Sequence, residues 1–248
     1  MDWLEIVLNA VPILISLGAL VFTIWKTKRL ETKRNERDDN IERISIALDM
    51  AKFYAEELIP DISLINEIIE QHPEIKAIVR RLKPNATMPS QFNSEEVEEV
   101  FTEEERKNLE GFYFNFSGVS VQAVQCCFAL WGRAIDFGPP ELQANSEYMA
   151  ARTQTEMKKL IKFFMNKLEY FSMAFQQNVA DEDVVYQSLH QSFFDAMIFM
   201  YFPIASRNKT SYDKFFVNAI QLFNTWRDRL QSDKKKKAEM DPKTPKKV

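Results

Sequence analysis

From Ile6 to Trp25 the chain runs twenty residues without a formal charge, and the twelve residues that follow carry six Lys or Arg. As a helix such a run is about 30 Å long, the thickness of a bilayer's hydrocarbon core. A cleaved secretory leader has a positive start and a small-residue cleavage motif. Here Asp2 and Glu5 precede the run and no such motif follows it. Positive charge on the C-terminal side places the N-terminus outside and the rest of the chain in the cytoplasm. Trp3 and Trp25 fall near the two interfaces, where indoles prefer to sit. The sequence therefore predicts a single-pass protein of the inner (cytoplasmic) membrane. Residues 1–5 form a short extracytoplasmic N-terminus and residues 6–25 the transmembrane helix. Residues 26–40 form a basic juxtamembrane segment in which Lys26, Lys28, Arg29, Lys33 and Arg34 meet lipid headgroups.

The apolar run is not uniform. Asn9, Ser16 and Thr23 recur every seven residues, with Pro12 and Ala19 at the intervening positions, so all five share one helical stripe. Small and polar side chains gain nothing by facing lipid; facing another helix, they permit close approach and hydrogen bonding. The stripe predicts a homo-oligomer, as a span interface or a pore lining.

Beyond the run, five Gly in 248 residues and little strand-like alternation, against abundant Glu, Lys, Leu, Met and Phe, predict an all-α fold. The net charge of −4 hides an asymmetry. Residues 26–37 carry a net +4 and residues 234–248 a net +5, leaving −13 on the rest. An acidic body argues against direct nucleic-acid binding, which needs clustered positive charge; the lipid bilayer is the partner that suits the two basic ends. The expected layout is an antiparallel helical bundle at 41–230, able to take a protein partner, followed by a disordered basic tail at 231–248.

Within the bundle, residues 41–59 place Ile41, Ile44, Leu48, Ala51, Ala55 and Leu58 at helical spacing up to Pro60. Two short helices follow, split at His72-Pro73, then a loop over 83–94. Thr102 and Glu105 fit a capping box for a helix carrying Leu109, Phe112, Phe116, Val119, Val124 and Leu130. Thr153 and Glu156 suggest another, opening a helix with Met157, Leu160, Ile161, Phe164, Leu168, Phe171 and Phe175 on one face. The acids 181–183 start a helix that runs to Pro203, and Phe216, Ile220, Phe223, Trp226 and Leu230 face inward from the last one.

Catalytic chemistry finds few candidates. Only His72 and His190 could serve as bases, and neither has the upstream Arg of a HEPN ribonuclease motif. Adjacent Cys126 and Cys127 have no metal-ligand spacing and read as small buried residues. The seven Glu between Glu95 and Glu105 read as a solvated helix start. No catalytic residue, metal or cofactor is expected, and an enzyme is the weaker hypothesis.

The block from Lys159 to Trp226 contains "FFMNKLEYFSMAF", with Asn166, Leu168 and Glu169, then "DEDVVY", Arg207, and Tyr212 through Trp226. It resembles an uncharacterised family of bacterial single-span membrane proteins with a cytoplasmic helical domain. The architecture is also similar to the membrane accessory protein of type VI CRISPR loci, which implies an oligomeric pore and a role in phage defence. The resulting expectation is a non-enzymatic, membrane-anchored helical protein that self-assembles as a scaffold or pore. The alternative is a membrane-tethered cytoplasmic sensor or enzyme, such as a degenerate HEPN-like nuclease. Asn166, Glu169 and Arg207 are expected to be structural polar residues, with Glu169 paired to Arg207 or Arg227 because an unpaired buried carboxylate is costly.

Overall fold

A computed structural model describes residues 26, 28, 36–84, 88–116, 119–130, 138–209 and 214–240. Among them there is helix and connecting turn but no strand, so the all-α expectation holds. The predicted span 6–25, with Asn9, Pro12, Ser16, Ala19 and Thr23, lies outside the described residues, as do Arg29, Lys33 and Arg34. Among the described residues no helix is long and apolar enough to cross a membrane.

Helix α1 (36–53) passes through one wide π-turn, Tyr54–Leu58, directly into α2 (Ile59–Glu70). Pro60 therefore does not end the first helix. Ile59 N–H reaches back five residues to Tyr54 O, and the widened turn accommodates a ring that would clash in a regular one. The break at His72-Pro73 is where the sequence placed it, and α3 covers Pro73–Arg81. Next come α4 (Ser94–Val100), capped by Asn93, and α5 (Glu103–Glu110), opened by the Thr102–Glu105 capping box. The long helix expected after Thr102 is interrupted. A π-turn, Gly111–Asn115, ends at Phe116 in a left-handed conformation, and α6 restarts at Val121–Leu130.

The C-terminal half holds α7 (Pro140–Gln143), α8 (Ser146–Gln176), α9 (Glu182–Phe199), α10 (Tyr201–Ala205) and α11 (Val217–Met240). Helix α8 starts two turns before the sequence suggested, because Asn145 Oδ1 accepts from the N–H groups of Glu147 and Tyr148. Thr153 is thus a buried mid-helix residue, and Glu156 pairs with Arg152 and Lys159. Helix α9 ends at Phe199, and Pro203 lies inside the short α10. Helix α11 continues to Met240, so residues 231–240 are helical rather than disordered; 241–248 lie outside the described residues.

Side-chain pairings fix the directions. Phe171 meets Phe193, and Phe194 meets Phe223, so α9 runs against both α8 and α11. Tyr54 meets Phe171 while Lys167 reaches Asp61, so α1 and α2 also run against α8. Trp226 is fully buried among Phe171, Phe175, Tyr186 and Phe193. The apolar face read on α8 from Met157 to Phe175 is buried throughout. Along α1 and the π-turn after it the buried face includes Ala47, Tyr54 and Leu58; Leu58 is buried as the periodicity suggested, whereas Ile41 and Leu48 are exposed, contrary to it.

At one end, Asp181 N–H donates to Arg43 O at 3.2 Å, and Arg229 pairs with Asp183 at 2.5 Å. These contacts level the α8–α9 turn with the middle of α1 and the end of the packed part of α11. Residues 36–42 and the Lys234–Lys237 run, all exposed, project past that turn on the same side.

Candidate functional site

Lys158, Ile161, Lys162 and Asn166 occupy successive turns of one face of α8. Facing them are Tyr113 and Phe114 from the π-turn after α5, Arg207 just beyond α10, and Phe215 and Phe216 at the entry to α11. Together they form an open cleft of about 500 Å³ whose lining, among the described residues, has three cationic side chains and no carboxylate.

Arg207 sits where it does because its neighbour is pinned. Asn208 is fully buried. Its Nδ2 donates to Phe92 O at 3.0 Å and to Phe215 O at 3.3 Å, and its Oδ1 accepts from Phe215 N–H at 2.7 Å. Ser94 N–H donates to its carbonyl at 3.0 Å. This one side chain ties Phe215 to the 92–94 loop. Arg207 then extends over the Phe114 ring, 5.7 Å from its centroid, and donates to Met165 Sδ at 3.6 Å. Among the described residues no carboxylate lies within ion-pair distance of it. Partial burial of the guanidinium draws its pKa below the ordinary value. Tyr113 closes the inner wall; its hydroxyl donates to Phe199 O at 2.6 Å, and burial raises its pKa, so it stays protonated. Phe216, in the lining, and Phe116, two residues beyond Phe114, both adopt positive φ, a conformation disfavoured for bulky residues.

Two of the three polar residues singled out by sequence, Asn166 and Arg207, meet in this cleft. Glu169 does not. Instead of pairing with Arg207 or Arg227, its carboxylate accepts from Asn218 N–H at 3.1 Å, Asn218 Nδ2 at 2.7 Å and Ala219 N–H at 2.9 Å. It caps the first turn of α11, where free N–H groups and the helix dipole favour an anion. Arg227 donates to Met88 O at 3.2 Å and pairs with Asp228. Lys158 and Lys162 escaped the sequence reading, although their spacing with Asn166 was visible on the polar side of α8. The aromatic wall and Asn208 had no local signal, because only tertiary packing brings Tyr113, Phe114, Phe215 and Phe216 to α8.

The other candidates are spoken for. His190 Nδ1 lies 2.8 Å from Tyr186 O, with its ring stacked on Tyr186. His72 packs edge-on against Phe112, and burial lowers its pKa. Cys126 is exposed, not buried as expected. The Glu run divides between two helix starts. Glu96 accepts from the N–H groups of Ser90, Gln91 and Phe92, and Glu105 pairs with Arg81. Among the described residues no group of three or more His, Cys, Asp or Glu could hold a metal. Lys26 and Lys28 are helical and exposed. No family model, curated protein or solved structure matches the chain.

Proposed function

We propose that the chain is a non-enzymatic, membrane-anchored helical protein that self-assembles and acts at the membrane, as a scaffold or an oligomeric pore. The observation that carries this reading is the layout of one bundle end. The segment bearing Lys26 and Lys28 leads into α1 at the end where α11 projects Lys234–Lys237. The acids Glu36, Asp38, Asp39 and Glu42 lie between the juxtamembrane cations and the bundle. In sequence, the apolar run 6–25 and its basic flank precede the end of α1 beside which Lys234–Lys237 project, an order suited to anionic lipid. Assembly would come from the Asn9, Pro12, Ser16, Ala19 and Thr23 stripe.

Alkaline carbonate washing of membranes from cells expressing the full chain tests the anchor. Retention in the pellet is expected, and release into the supernatant overturns it. In detergent, the native mass is expected to exceed that of a monomer. It is expected to fall to a monomer when Asn9, Ser16 and Thr23 are all changed to Leu; a wild-type monomer overturns assembly. The α8 cleft favours a second reading, a membrane-tethered ligand sensor, because three cations converge there on a concave aromatic surface.

A further inference from the structure

We propose that the cleft bounded by α8, Tyr113 and Phe114, Arg207, and Phe215 and Phe216 binds a soluble organic phosphate bearing a flat or apolar group, of roughly nucleotide size. Three features select that chemistry. Lys158, Lys162 and Arg207 supply positive charge for a dianion, and among the described residues none that lines the cleft is acidic. Arg207 has no carboxylate partner among the described residues, and Asn208 fixes its position from below. Asn166 adds an amide able both to donate and to accept. Phe114, Phe215, Phe216 and Ile161 line the remainder, and Phe215 is 58% exposed, a ring surface open to stacking. The volume of about 500 Å³ fits a small ligand.

A phosphate could equally be carried by a lipid headgroup. Lys158 to Asn166 lie roughly 15–30 Å along α8 from the α8–α9 turn, at about 1.5 Å per residue. If the bundle meets the bilayer by that end, the cleft stands clear of the headgroups, so a free phosphate is the source. That choice rests on the membrane reading above; the cleft itself does not.

Calorimetric titration of the full chain in detergent tests the proposal. The probes are the ribonucleoside monophosphates, their unphosphorylated nucleosides, inorganic phosphate and a short-chain phosphatidic acid. Saturable binding of at least one nucleotide is expected, with its nucleoside and inorganic phosphate at least tenfold weaker. The Lys158→Gln/Lys162→Gln variant changes two exposed side chains and is expected to fold normally. It should weaken nucleotide binding about tenfold, as loss of charged contacts does, and Arg207→Gln should weaken it further. Absence of saturable nucleotide binding, or equal binding by the wild type and the lysine variant, overturns the proposal. Binding of phosphatidic acid alone overturns the soluble source and assigns the cleft to lipid. None of these outcomes depends on whether the chain is retained in carbonate-washed membranes, so the two proposals fail separately.

Discussion

Asp61 is a fully buried carboxylate whose Oδ2 accepts from Lys167 Nζ at 3.1 Å, with Glu57 on the same ammonium at 2.8 Å. The pair joins α2 to α8 across the bundle. Removing the lysine while the carboxylate stays buried strips it of a compensating charge, and such losses exceed those of surface ion pairs. Lys167→Met is expected to destabilise the protein by about 2–3 kcal/mol in chemical denaturation. Adding Asp61→Asn to that variant should recover part of the loss, because a neutral amide costs less to bury. A lysine variant as stable as the wild type would show that the ion pair contributes nothing to the packing. Sequence reasoning had no access to this contact, since Asp61 follows Pro60 and looked like a helix end.

Helices were legible where one rule decides them. The apolar face of α8 follows the 3.6-residue period, and every position the pattern named is buried, joined by Met149, Thr153, Met165 and Ser172, which it did not name. Local rules failed where a second force acts. The Thr153–Glu156 pattern has the letters of a capping box, but Asn145 already supplies the cap upstream. Pro60 has the letters of a stop, but one wide turn absorbs it. The basic stretch after Leu230 has no apolar stripe, yet it continues a helix anchored by Trp226, and extending a helix is far easier than starting one. The start of α11 depends on Glu169, fifty residues away, which stands in for a local N-cap. Glu169→Ala should therefore cost about 2 kcal/mol in denaturation experiments, and Glu169→Gln less, because the amide oxygen still accepts. Equal stability of wild type and alanine variant would exclude the capping role. The cleft escaped for a related reason: its cations were visible along α8, but its aromatic wall comes from two connections that packing alone juxtaposes.

Taken whole, the molecule is a packed body with two helical extensions at one end. Lys234–Lys237 are exposed and touch none of the core, so removing 231–248 should shift the midpoint of thermal unfolding by less than about 2 °C in calorimetry. A larger loss would mean that the α11 extension is part of the folded body. The internal joints are less forgiving, and Asn208 is the clearest. With Lys209 and Thr210 it spells an acceptor sequence for N-linked sugar. A glycan attached at its Nδ2 would remove one N–H and place a bulky group where Phe92 and Phe215 close over the amide. Glycosylation at this position and completion of the fold therefore exclude each other. If the chain were routed through a secretory pathway in a foreign host, sugar on Asn208 would mark molecules modified before they folded, and the native fraction would be the one without it.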